Sequence, residues 1–138
     1  MKNSICVILI AILASCANDS NSEKIKNLNG YWNIDLVEKS DGSSKEFPFT
    51  NHMDFFEVNG NIGTKSRVSP TYDGTFISYG DAVRFVWVDN ENQVVLNFES
   101  GDQAYSQILR KATKEELELV HEDGTVYYYK AYQSNEEQ

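Results

Sequence analysis

Val83-Arg84-Phe85-Val86-Trp87-Val88, Val94-Val95-Leu96-Asn97-Phe98 and Tyr105-Ser106-Gln107-Ile108-Leu109 decide the fold. They are separated by Asp89-Asn90-Glu91-Asn92 and by a short link containing Gly101-Asp102. Each run is rich in β-branched and aromatic residues, which suit a pleated surface, and each is bounded by turn residues. A tight hairpin fixes which residues face each other, and facing residues share a face of the sheet. The turn after Asp89 pairs Trp87 with Val94, Phe85 with Leu96, and Val83 with Phe98. The turn at Gly101-Asp102 pairs Phe98 with Tyr105, Leu96 with Gln107, and Val94 with Leu109. Both registers place Val83, Phe85, Trp87, Val94, Leu96, Phe98, Tyr105 and Leu109 on one inner face.

The same pattern extends over residues 30–133, which carry no convincing helix period. Gly30–Glu38 alternates with Trp32, Ile34 and Leu36 on one side. Met53–Val58 runs into Asn59-Gly60, a strong hairpin signal. Further strands are expected around Asn61–Val68, Thr75–Tyr79, Leu117–Glu122 and Thr125–Tyr132. The turn at Asp123-Gly124 pairs His121 with Val126, Leu119 with Tyr128, and Leu117 with Lys130. Phe55 and Phe56 point opposite ways, and the pattern does not decide between them. Eight or nine strands in consecutive hairpins with one apolar face are best satisfied by closing the sheet, which removes its edges. The expected fold is all-β, an antiparallel up-and-down β-barrel of about eight strands over residues 28–133. The other face carries Val86, Val95, Ile108, Val120 and Tyr127. These residues either reflect strand preference alone or form an apolar patch that docks a partner or a second copy.

Composition agrees with a small globular domain. The chain has 138 residues, 41% hydrophobic and 24% charged, with seven Phe, eight Tyr and two Trp. The balance of 21 acidic against 12 basic residues, a net charge of −9, argues against nucleic acid as a partner, because phosphate binding needs Lys and Arg. Two Cys and two His exclude a zinc ribbon, a finger or a disulfide framework.

The N-terminus reads as an address. Met1-Lys2-Asn3-Ser4 is followed by the apolar run Ile5–Leu13, too short to span a bilayer, which needs about 20 residues. Leu13-Ala14-Ser15-Cys16 resembles the bacterial lipobox. That resemblance implies a signal peptide over residues 1–15, cleavage after Ser15, and acylation of Cys16 by diacylglycerol and then by a fatty acid such as palmitate. Each acyl chain contributes about 0.8 kcal/mol per buried CH₂, so two or three anchor stably. The expected location is the cell envelope, lipid-anchored in the outer membrane on its periplasmic or surface side. Residues 17–27 are polar and are read as a flexible tether, with a short helix around Glu23–Asn27 as the alternative. Residues 134–138 form an acidic tail.

Leu28 and Gly30-Tyr31-Trp32 resemble the Gly-x-Trp signature that opens the first strand of lipocalins. Leu117-Glu118-Leu119, Asp123-Gly124 and Tyr127-Tyr128-Tyr129-Lys130 are similar to the closing hairpin of bacterial lipocalin-like lipoproteins. The resemblance implies a barrel that holds a small ligand without catalysis. In lipocalins an Arg on the last strand packs over the signature Trp. Here Lys130 would arrive near Trp32 as the barrel-closing pair, although Lys does not stack flat as Arg does. The second lipocalin signature is not visible around Thr71–Gly74.

The sequence carries no nucleophile elbow, P-loop or dinucleotide fingerprint, and no cofactor is expected. His52 and His121 have no partner at metal spacing, and no metal site is assigned. Expected ligand-binding residues are Trp32, Phe85, Trp87, Leu96, Phe98 and Leu119 as an apolar lining. Tyr105, Gln107 and Tyr128 would be polar handles, because a few polar groups in an apolar cavity orient a ligand. The expected partners are the membrane through Cys16, a small apolar or amphipathic molecule, and an envelope protein. The alternative function is a filled barrel that serves as an interaction or inhibitor module.

Overall fold

The computed structural model describes residues 20–48 and 50–133. Cys16 and the rest of residues 1–19, Phe49 and the tail 134–138 lie outside the described residues. The described residues form one helix, α1 (Asn21–Leu28), and nine strands. The strands are β1 (Gly30–Glu38), β2 (Ser44–Glu46), β3 (Met53–Asn59), β4 (Ile62–Pro70), β5 (Phe76–Asn90), β6 (Gln93–Ser100), β7 (Gln103–Ala112), β8 (Glu116–His121) and β9 (Val126–Ala131). Every pairing is antiparallel. The order is β2-β1-β3-β4-β5-β6-β7-β8-β9, and β1 also pairs with β9. Eight strands, β1 and β3 to β9, therefore close a ring. β2 lies on the β1 edge beyond the point where β3 departs, since Gly30–Trp32 pair with β3 and Leu36–Glu38 with β2.

The hairpins show how the residues set register. The β6–β7 pairing is the expected one, with Phe98 opposite Tyr105, Leu96 opposite Gln107, and Val94 opposite Leu109. The β5–β6 pairing is displaced by two residues, with Phe85 opposite Phe98 and Trp87 opposite Leu96. Its loop is only Glu91-Asn92, and Glu91 takes a left-handed φ of 53°. A shift of two preserves the faces, so the inner set survives. The β8–β9 hairpin differs by one residue, with Leu119 opposite Tyr127 and Leu117 opposite Tyr129. Here the His121 N–H donates to the Thr125 carbonyl at 2.8 Å across a three-residue loop. Gly124 has φ 89°, the arrangement of a type I turn closed by a glycine bulge. An odd shift exchanges the two faces, so Tyr127 and Tyr129 turn inward and Tyr128 outward.

The segment expected as a tether is, from Asn21 onward, the helix α1. Ser20 caps it by accepting from the Glu23 N–H at 3.3 Å, Glu23 lies in the first turn, and Lys26 in the last, as the helix dipole favours. Eight residues form no stable helix alone, so packing holds it. Ile25 and Leu28, on one face, are buried against the barrel. Polar side chains pin the helix to three hairpin ends: Asn21 Nδ2 donates to Asp89, Asn27 Nδ2 to the Ala112 carbonyl, and Asn29 Oδ1 accepts from Val58 N–H. The helix thus closes this end of the barrel.

Beneath it the core is filled by Trp32, Phe56, Phe85, Leu96, Phe98, Leu109, Leu117 and Leu119, each no more than 2% exposed. Phe85 lies 5.0 Å from Phe98 and 6.4 Å from Phe56, ring centre to ring centre. Gly63 faces Phe85 so closely that a Cβ there would sit 2.1 Å from the ring. Outside the barrel, Tyr31 is stacked between Phe55 at 4.4 Å and Phe76 at 4.1 Å. This ties the first turn of β5 to β1 and settles Phe55 outward and Phe56 inward.

Candidate functional site

At the end opposite α1 the barrel interior is open. A cavity of about 510 Å³ lies above the aromatic floor. Strand alternation builds its wall. β3 and β4 bring in Asp54, Lys65 and Arg67, through the pairings of Asp54 with Arg67 and Phe56 with Lys65. β7 and β8 bring in Tyr105, Gln107 and His121, with Gln107 opposite His121. β9 adds Tyr127 and Tyr129, and β1 adds Ile34 and Val37. The segment after β2 forms a rim through Phe47, Thr50 and His52.

The polar groups are organised in two sets. In the first, the Tyr129 hydroxyl donates to Asp54 Oδ2 at 2.9 Å, and Lys65 Nζ stands 3.7 Å from the same oxygen. Burial, and then the Asp54 carboxylate, push the Tyr129 phenol well above its ordinary range. Lys65 also lies 6.0 Å over the rings of both Phe56 and Phe98. In the second, Gln107 Nε2 lies 3.3 Å from His121 Nδ1, and Tyr105 stacks on Phe98 at 4.9 Å. Burial raises the phenols of Tyr105 and Tyr127 as well. The site therefore has an apolar base, aromatic walls and a charged side.

The residues expected to bind a ligand divide between two levels. Tyr105 and Gln107 line the cavity. Trp32, Phe85, Leu96, Phe98 and Leu119 are buried in the floor below it. Trp87 is at the closed end, where its indole N–H donates to the Gly60 carbonyl at 2.7 Å. Tyr128 is on the outer face, where its hydroxyl accepts from Arg110 at 3.2 Å. Lys130 reaches the strand beside β1 as expected, but it pairs with Asn33 and points outward to Asp35, 3.8 Å away. It does not cover Trp32, whose indole N–H is taken by the Leu28 carbonyl at 2.9 Å. On the outer face Val88, Val95, Ile108 and Val120 form a cross-strand row, whereas Tyr127 is inside.

Asp54, Lys65, Arg67, Tyr127 and Tyr129 were not read as site residues from the sequence. The available signal was the hairpin between β3 and β4. Its loop is Gly60-Asn61, with Gly60 at φ 65°, and this register alone places Asp54, Phe56, Lys65 and Arg67 on one face. His52 and His121 both reach the cavity, yet among the described residues no three His, Cys, Asp or Glu side chains converge to hold a metal. A wider groove of about 700 Å³ lies between Asn33, Phe47, Glu115 and Lys130. Its polar groups include the exposed Lys130–Asp35 pair, and they do not converge as those of the interior cavity do.

A family model described as a lipocalin-like domain matches residues 28–119. The chain belongs to the lipocalin-like domain family. Among solved structures it is similar to a lipocalin-like protein from Bacteroides uniformis, at 12% identity and a TM-score of 0.49, over 77% of this chain and 99% of that one. It is similar also to an uncharacterised protein from Bacteroides eggerthii, at 11% identity and a TM-score of 0.48, over 76% and 99%. Lobster apocrustacyanin A1 aligns at 10% identity and a TM-score of 0.48, over 86% and 68%. No curated protein matches the sequence. Membership accounts for the closed eight-strand ring, and for the Trp32 at the start of a lipocalin-like first strand.

Proposed function

We propose that this lipocalin-like barrel binds a small amphipathic molecule without transforming it, and is held at the bacterial outer membrane by acylation of Cys16. The observation that carries the reading is the interior cavity of about 510 Å³ above a floor that is fully packed. The volume falls in the range of sites for small molecules, roughly 300–1,000 Å³. A barrel whose role is only to present its outer surface has no need of an opened half lined by Lys65, Gln107 and Tyr105. The mixed lining favours an amphipath over a purely apolar ligand, because buried polar groups left without partners are costly.

The test is native mass spectrometry of the full chain, extracted from its membranes in a mild non-ionic detergent. The expected spectrum shows the acyl mass on the chain and a further small molecule that is lost on denaturation. A Cys16→Ala chain that keeps the acyl mass overturns the anchor. A chain that carries no small molecule, and gains none when offered fatty acids, aryl acids or other amphipaths, overturns the binding reading.

A further inference from the structure

We infer that the cavity selects an elongated carboxylate that carries a hydrogen-bond donor at its far end, the carboxylate facing Lys65 and Arg67 and the donor meeting Gln107 Oε1. This deepens the binding reading above and rests on it. The first observation is a reversal of charge. The chain has 21 acidic and 12 basic residues, yet the cavity wall has two cations, Lys65 and Arg67, against one carboxylate, Asp54. Asp54 is already engaged by the Tyr129 hydroxyl at 2.9 Å and faces Lys65 at 3.7 Å, beyond hydrogen-bond reach. Arg67 has no carboxylate partner among the described residues. Lys65 is 24% exposed, and its ammonium lies over the Phe56 and Phe98 rings. With Asp54 counted, the wall keeps one net positive charge, and a cation partly shielded from water attracts an anion more strongly than one in open water.

The second observation is independent. Gln107 is only 6% exposed, and its Oε1 is buried with no hydrogen-bond partner among the described residues. Its Nε2 is engaged with His121 at 3.3 Å. A buried acceptor without a donor costs free energy, and a ligand hydroxyl or N–H that reaches it recovers that cost. Lys65 is on β4 and Gln107 on β7, three strands apart in a ring of eight. A ligand that meets both reaches from the β4 wall to the β7 wall, in a cavity that Tyr105 and Tyr127 also line. A flat or extended apolar body with an anion at one end and a donor at the other fits these constraints.

The probes are 4-hydroxyphenylacetate, its alcohol and amine counterparts, and the 4-methoxy and 4-methyl acids, titrated calorimetrically into the full chain in non-ionic detergent. The hydroxy acid is expected to bind at least tenfold more tightly than the alcohol, with the amine weakest. It is also expected to bind several-fold more tightly than the methoxy acid, which accepts but does not donate. Lys65→Met should erase the preference for acid over alcohol. Gln107→Leu should erase the preference for hydroxy over methoxy. Near-ultraviolet circular dichroism verifies that each variant keeps its fold. Equal binding of acid and alcohol overturns the anion claim, and equal binding of hydroxy and methoxy acids overturns the donor claim. The cavity reading survives both. Absence of binding by every probe overturns the inference, and if native mass spectrometry also finds the chain bare, the binding reading falls with it.

Discussion

Trp32 donates its indole N–H to the Leu28 carbonyl at 2.9 Å, and both residues are buried. The bond joins the first inward side chain of β1 to the last turn of α1. The carbonyls of a helix's last turn lack partners within the helix, and a buried one must find a donor elsewhere. Trp32→Phe retains most of the apolar volume and removes this donor. The variant should lose about 1–3 kcal/mol, the cost of an unsatisfied buried polar group. Urea unfolding followed by far-ultraviolet circular dichroism measures it, and an unchanged midpoint would show that the helix is not held by this bond.

Gly63 and Phe85 set a second constraint. Gly63 needs no unusual backbone, but a methyl group there meets the Phe85 ring at 2.1 Å. The ring is fully buried between Phe56 and Phe98 and has nowhere to move. Gly63→Ala should therefore destabilise by about 1–3 kcal/mol through overpacking. Gly63→Ala combined with Phe85→Leu should cost less than the sum of the two single changes, since the smaller side chain makes room. Strictly additive losses would place the clash elsewhere.

The fold was legible because the strands over the packed floor alternate strongly. Phe85, Leu96, Phe98 and Leu109 fill one face whatever the exact loop, since a register error of two residues leaves parity intact. The cavity was much less legible. Its wall on β3 and β4 carries Asp54, Lys65 and Arg67, and a strand face of charged residues looks the same whether it meets bulk water or a wet interior. Tyr127, Tyr128 and Tyr129 are consecutive and chemically alike, so only loop length tells which of them face inward. The glycine bulge at Gly124 added the residue that reversed the assignment. Helix α1 was hidden for another reason: its eight residues show only two apolar contacts, Ile25 and Leu28, and its stability comes from the barrel.

Tyr129 gives the cavity a dependence on alkaline pH. Its phenol is held well above the usual range by burial first and by Asp54 second, so the folded state resists ionising it. The unfolded chain ionises near pH 10. The stabilisation is therefore complete below about pH 10 and is lost as pH rises from there towards the folded value. Urea midpoints between pH 8 and 11 should fall more steeply in the wild type than in Tyr129→Phe. The comparison removes the shared contribution of lysines and of the other tyrosines, including Tyr105 and Tyr127. Parallel profiles would mean that Tyr129 ionises as easily in the folded barrel as outside it.

The one-residue difference in the β8–β9 hairpin makes Tyr127 and Tyr128 opposites. Tyr127 lines the cavity opposite the inward Leu119, whereas Tyr128 is opposite Glu118 and accepts from Arg110 on the outer surface. Tyr127→Ala should enlarge the cavity and weaken 4-hydroxyphenylacetate binding by about tenfold, as expected when roughly 1.4 kcal/mol of contact is removed. Tyr128→Ala should leave binding within about twofold, since this side chain meets Arg110 on the outer face and not the cavity. Had the hairpin closed in the two-residue register, the two phenotypes would exchange. Calorimetric titration of both variants therefore reads out the register of the last hairpin and the wall of the cavity in one experiment, because each face of the strand can be inward in only one of the two arrangements.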